Sequence, residues 1–195
     1  GNSRFVAKTM SLDSLLSYSR RAELAGGQTP IAIILGCSDS RVPAEIVFDQ
    51  GLGDLFVIRV AGNIVAPSHL ASVEFAAERY GARLVVVLGH TQCGAILATL
   101  EELQSDKKHH SPNMSSIVDR VRPSVEGLLL SESLKQNMDA LVHQAVRANV
   151  RVSANQMRHG SKILEELIEK HDLLVVGAEY SLETGVVDFF DGMPD

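Results

Sequence analysis

Two short stretches of the chain carry residue types that could do chemistry together. The first is Cys37-Ser38-Asp39-Ser40-Arg41, which sets a thiol, a carboxylate and a guanidinium at alternate positions. The second is His90-Thr91-Gln92-Cys93, an imidazole and a thiol three residues apart. Cys37, His90 and Cys93 make a ligand set of two thiolates and one imidazole, and zinc is the metal that accepts these together in a tetrahedron. Three protein ligands leave a coordination position for water or substrate, whereas a fourth would close the site. Asp39 therefore faces a choice. It either pairs with Arg41 in a charge-assisted hydrogen bond and leaves the metal open, or binds the metal and closes it. Cys37 and Cys93 are the whole cysteine stock, too few for a disulfide framework. As two plain core cysteines they would need no metal-capable neighbours, and both have them.

Positioning these groups requires that two distant stretches end at one place. Residues 31–36 (Ile-Ala-Ile-Ile-Leu-Gly) are a wholly apolar, partly β-branched run, the pattern of a strand buried on both faces, and Cys37 follows it directly. Residues 83–89 read as another such strand, with His90 next and a helix over 93–103 after it. Cys93 at that helix's first turn would have its thiol pKa lowered by the dipole and free amides. Further strands are predicted at 55–60, 173–178 and 186–189, the last two joined by a glycine-containing turn at Glu183-Thr184-Gly185. Helices are predicted over 11–25 with Ser11 as cap, 43–48, 68–80 capped by Ser68 and closed by Gly81, 114–130, 133–158 and 161–171. Breaks are expected near Pro123 and Ser131, and residues 105–113 read as a polar surface loop in which His109-His110 is a solvated run. Alternation of strands and helices predicts an α/β fold: a mostly parallel central sheet flanked by helices, with an antiparallel edge strand at the C-terminus. Ligands of such sheets gather outside the carboxyl ends of the strands where their order reverses.

At 195 residues the chain reads as one domain, 1–195, with residues 1–25 forming a helical arm. Hydrophobic residues make up 45% and charged residues 22%, a globular balance. The net charge is −6 with Lys and Arg scattered, which argues against a nucleic-acid or anionic-membrane partner. No apolar run approaches the roughly 20 residues that span a bilayer. A cytoplasmic location is the expectation, although a removed leader would leave no trace.

Cys37-Ser-Asp39-Ser-Arg41 followed by His90-x-x-Cys93-Gly94 resembles the β-class carbonic anhydrases, and the resemblance extends over nearly the whole chain. It implies zinc, one per chain, held by Cys37, His90 and Cys93, with Asp39 and Arg41 as the catalytic dyad that gates the metal. It implies reversible hydration of CO2 to bicarbonate and a proton through a zinc-bound hydroxide. It also implies substrate contacts from Gln28, Phe56, Phe75 and the Gly94 amide, and a homo-oligomer, either a dimer or a further assembly of dimers, with active sites at the dimer interface. Phe75 stands where plant-like members carry a tyrosine, so one polar contact across the dimer would be lost. A second bicarbonate site found in some bacterial members uses Trp, Arg and Tyr; Arg59 and Tyr180 match, but Ile34 replaces the Trp, and that site is not expected here. Two other readings compete: hydrolysis of carbon disulfide or carbonyl sulfide on the same ligands, and a non-catalytic zinc-stabilised interaction domain, which would need neither the dyad nor Gln28. A dithiol redox protein would place both cysteines in one Cys-x-x-Cys.

Overall fold

Four segments rich in Val, Ile and Leu and a fifth, Val-Asp-Phe-Phe-Asp, form one sheet whose three central strands are buried almost throughout. The computed structural model describes residues 1–10, 18–105 and 111–194. Its strands are β1 (Ala32–Gly36), β2 (Leu55–Arg59), β3 (Leu84–His90), β4 (Leu174–Tyr180) and β5 (Val187–Asp191), in the order β2-β1-β3-β4-β5. The first four are parallel and β5 is antiparallel to β4. The predicted fold class is therefore observed, including the C-terminal hairpin. Its turn places Gly185 at φ +75, where its N–H donates to the Ser181 carbonyl at 2.9 Å.

Helices are α1 (Asn2–Val6), α2 (Tyr18–Leu24), α3 (Ala44–Val47), α4 (Pro67–Tyr80), α5 (Gly94–Gln104), α6 (Pro112–Val125), α7 (Glu132–Lys135), α8 (Met138–His159) and α9 (Lys162–Lys170). Every residue of β1 is buried. Ile33 and Leu35 pack with Val73 of α4, Val150 and Met157 of α8 and Leu164 of α9. Ala32 and Ile34 face the other way, toward Val47 of α3 and Phe5 of α1. Burial of each large aliphatic side chain contributes about 1.5–3 kcal/mol, which is what fixes the strand end that precedes Cys37. The N-terminal segment is tied to this second face: Asn2 donates to the Val47 and Gly185 carbonyls and accepts from the Val187 N–H, and Arg4 pairs with Asp49.

Several boundaries differ from the sequence expectation for local reasons. Helix α4 starts at Pro67, whose fixed φ suits a first helical position, so Ser68 lies inside it and Ala66 is the cap residue. Gly81 closes that helix in the left-handed region, as predicted. Pro123 does not interrupt α6; the helix continues to Val125 and then tightens into a 3-10 segment, Glu126–Leu130. The long helix begins at Met138 rather than 133, because the Asn137 side chain caps it by accepting from the Ala140 N–H at 3.1 Å. Ser161, read as the first residue of the last helix, is instead its cap, and α9 starts at Lys162. The Ser11 cap and the His109-His110 run lie outside the described residues. No described helix is long and apolar enough to cross a membrane.

In place of a serine cap, the start of α4 uses His69, whose Nδ1 accepts from the Ala66 N–H at 3.0 Å. Burial, helped by the charge of Arg120, lowers the His69 pKa, so the neutral ring is the folded form. A depressed histidine contributes stability that is fully present above its unfolded pKa, near 6.5, and lost as pH falls through the folded value. Denaturant melts should therefore show wild type losing more stability between about pH 7 and pH 5 than His69→Ala does. Parallel pH slopes for the two proteins would disprove this role.

Candidate metal centre

Strand order reverses between β1, which pairs with β2 on one side, and β3 on the other. Gly36 is in register with Leu88, so the chain leaves β1 beside the carboxyl end of β3. Cys37 follows β1, His90 is the last residue of β3, and Cys93 is the cap residue of α5. Between the last two, Gln92 adopts φ +57, which tightens the turn and brings Cys93 back under the strand end. The three side chains are buried, and their ligand atoms lie within 4.8 Å of one another.

The donor set fits zinc on three counts. The two sulfurs are 4.0 Å apart, and a tetrahedral centre with metal–sulfur bonds of about 2.3 Å puts its sulfurs roughly 3.8 Å apart. His90 Nδ1 lies 2.8 Å from the Thr91 carbonyl, which can only accept, so Nδ1 carries the proton and Nε2 presents a lone pair. That Nε2 is buried without a hydrogen-bond partner. A fully buried imidazole nitrogen with nothing to bond is costly unless it ligates. Finally, the thiol pair shares its first proton loss easily. Cys93 hydrogen-bonding stabilises a thiolate at Cys37 and pulls its pKa down, while the same contact pushes Cys93 up. A divalent cation is what removes both protons at neutral pH. Burial alone would depress His90, but the Cys37 thiolate, the Thr91 carbonyl and Asp39 outweigh it.

Asp39 is paired with Arg41 in this structure. Its Oδ1 accepts from the Arg41 backbone N–H at 3.0 Å and from Nε at 2.9 Å, and its Oδ2 accepts from Nη2 at 2.7 Å. This two-pronged pairing holds the carboxyl well below the usual carboxylate range. Oδ2 nevertheless sits only 3.9 Å from His90 Nε2, at the edge of the ligand cluster. The loop is clamped by Arg59 at the end of β2, whose Nε donates to the Cys37 carbonyl at 3.0 Å and whose Nη2 donates to that of Asp39 at 2.6 Å. The Gly62 N–H approaches Cys37 Sγ at 3.4 Å. The clamping role of Arg59 was not read from sequence; its position, an arginine closing a strand that neighbours the cysteine strand, is the signal that could have found it.

The chain matches the carbonic anhydrase family over residues 32–187. It belongs to the β-carbonic anhydrases. Carbonic anhydrase 2 of Mycobacterium tuberculosis is 40% identical over 185 residues, covering 95% of this chain and 86% of that protein. The carbonic anhydrase of Mycolicibacterium smegmatis is 39% identical over 195 residues, covering 100% and 91%. Among solved structures, the β-carbonic anhydrase of Aspergillus fumigatus superposes with a TM-score of 0.79 at 26% identity, covering 91% of this chain and 83% of that one. A pair described as tetrameric β-carbonic anhydrases, from Sordaria macrospora, gives 0.78 at 25% identity, covering 87% and 85%.

The remaining site residues suggested by the β-carbonic anhydrase resemblance divide into two places. Gly94 adjoins Cys93, and open space lies where a side chain would stand. Gln28 is elsewhere. It lines a cavity of about 730 Å³ with Arg21, Leu24, Leu52 and Tyr80, at the amino end of β1. Phe56, Phe75 and Tyr80 form an aromatic cluster beside it, with ring centroids 5.5 to 6.4 Å apart. Phe75 is half exposed. Since Cys37 lies past the other end of β1, the strand rise separates the two places by about 20 Å. One chain therefore brings together the metal ligands and the dyad, and separately the glutamine and the aromatics, but not the two groups with each other.

Proposed function

We propose that this chain catalyses the reversible hydration of CO2 to bicarbonate and a proton, with zinc held by Cys37, His90 and Cys93. The observation that carries the reading is the buried, unpartnered Nε2 of His90 facing two thiols beside an arginine-bound carboxylate. Zinc in this site would lower the pKa of a bound water toward neutrality and so supply the nucleophile for CO2.

The chain's own residues do the rest. Arg41 keeps Asp39 ionised and turned toward itself, so the carboxylate remains an acceptor at the rim of the cluster. There it can accept a hydrogen bond from water and orient the oxygen lone pair toward an incoming carbon. Arg59 fixes the loop that carries both Cys37 and Asp39. The apolar walls Val60, Ile64 and Ala95 around the cysteines limit solvent and suit a small uncharged substrate. A second copy of the chain would complete the pocket by presenting its Gln28 amide and its Phe56 and Phe75 rings to the first copy's metal, as the half-exposed Phe75 and the 20 Å separation within one chain suggest. A homo-oligomer follows from that arrangement.

Stopped-flow CO2 hydration with simultaneous metal analysis tests the reading. About one zinc per chain and rapid hydration are expected. Zinc-loaded protein that is inert toward CO2 between about pH 7 and 9 would end the proposal. Gln28→Ala should raise KM roughly fivefold, the worth of one neutral hydrogen bond, while zinc content stays unchanged. Loss of zinc in that variant would place Gln28 in the structural support of the metal instead.

A further inference from the structure

Helix α8 carries one buried amide in a stripe that is apolar except for it and Ser153. Leu141, Val142, Ala145, Val146, Val150, Ala154 and Met157 are buried along it, and Asn149 among them is 1% exposed. An amide in such a place is retained only where its hydrogen bonds are needed. Its Nδ2 donates at 2.8 Å to the carbonyl of Gly62, 87 residues away in the chain. Gly62 is the residue whose N–H meets Cys37 Sγ at 3.4 Å.

Gly62 lies in the middle of the 3-10 turn Ala61–Asn63, at φ +71 and ψ +16. Glycine is required there twice over. The backbone is left-handed, and a Cβ would stand 3.1 Å from the Ala95 Cβ. The same freedom is a weakness, because a glycine can rotate its flanking peptides at little cost. Something outside the turn has to hold it, and Asn149 does so by pinning the carbonyl side, which sets how the N–H side meets the sulfur.

We infer that Asn149 is a positioning residue for the metal centre: through Gly62 it aims an N–H at the Cys37 thiolate and thereby sets that sulfur's donor strength toward zinc. The inference rests on the reading of Cys37 as a zinc ligand. An N–H···S bond withdraws charge from a thiolate, so the Cys37 sulfur is a slightly weaker donor but a fixed one. When the pin is removed, the turn relaxes, the sulfur loses both its partner and its orientation, and metal affinity falls as it does when partners behind other ligands are lost.

The test compares wild type, Asn149→Leu and Met157→Ala, the last a packing defect on the same helix that touches neither Gly62 nor Cys37. Zinc affinity is measured by chelator competition, and the protein is also loaded with cobalt to read its thiolate charge-transfer band. Asn149→Leu should bind zinc roughly 10-fold more weakly and show that band shifted to longer wavelength. Met157→Ala should lose stability yet keep wild-type affinity and band position. Wild-type affinity with an unshifted band in Asn149→Leu overturns the inference, as does the same loss in Met157→Ala, which would make the effect one of general loosening. Wild-type protein substituted with a spin-active cadmium isotope gives a reading that needs no variant. The Gly62 amide proton should show scalar coupling to cadmium through the sulfur, and absence of that coupling also overturns the inference. If wild type itself binds no zinc, the zinc reading fails and takes this inference with it; if wild type binds zinc and only the Asn149 effects are missing, the zinc reading stands.

Discussion

Cys37→Ser is expected to take zinc from about one per chain to almost none and to abolish CO2 hydration. Serine matches cysteine in shape, and position 37 is 5% exposed, so the packing of residues 60, 64 and 95 around it should persist. What is lost is the thiolate: a serine hydroxyl does not ionise near neutral pH and is a poor match for zinc beside sulfur and imidazole. Without the metal the nucleophile must come from bulk water, with a pKa of roughly 15.7, and its supply at neutral pH falls by many orders of magnitude. His90→Ala should lose zinc equally, but for a different mix of reasons. It removes the lone pair and also empties a fully buried position, so its melting curve should fall further than that of Cys37→Ser. Metal analysis with denaturant melts on both variants separates the two effects. A zinc-replete, active Cys37→Ser protein would show that the cluster is not the metal site.

The part of this site that could be read from sequence is the part held by local rules. An unbroken apolar run ending in Gly36 specifies a two-sided buried strand, and the residue after such a strand is delivered to the sheet's carboxyl edge. The same logic placed His90, and a three-residue spacing into a helix start placed Cys93. Arg59 and Asn149 were not legible in the same way. Each acts across the fold, on a carbonyl 22 and 87 residues away, and nothing in their immediate neighbours distinguishes them from an ordinary strand-end arginine or helix asparagine. Caps failed for a related reason. Ser68 and a start at 133 satisfied composition, yet Pro67 and Asn137 competed for the same helix ends and won by geometry. Gln28 shows a different limit. Its resemblance-derived role is beside the metal, but its place in the chain is at the far end of β1, so that role would require a second copy of the chain, which no intrachain pattern encodes.

Arg41→Ala should keep its zinc and lose activity roughly 10- to 100-fold, the effect typical of removing a partner that orients a group at a metal centre. The argument turns on what holds Asp39. Arg41 supplies three donors to it, and that pairing depresses the carboxyl pKa. A depressed carboxylate is ionised at all pH values above its ordinary pKa, and the pair is lost only as pH falls through the lower folded value. At working pH, then, protonation does not decide where Asp39 points; competition between Arg41 and the metal does. Take the guanidinium away and a negative carboxylate remains 3.9 Å from His90 Nε2 with no cation of its own, and zinc offers the nearest one. Losing the guanidinium raises its pKa from the depressed value, but a carboxyl stays ionised at neutrality, so raising the pH cannot free the site. Arg41→Lys should fall between, because a lysine keeps the charge but not the planar fork that engages both carboxylate oxygens. The distinguishing measurements are the hydration rate, zinc content and the count of oxygen and sulfur neighbours of zinc by X-ray absorption. One further oxygen at zinc in Arg41→Ala, together with a slowed rate that pH does not rescue, is the expected pattern. Wild-type turnover with an unchanged zinc environment would show that Asp39 does not compete for the metal and that Arg41 serves only the loop.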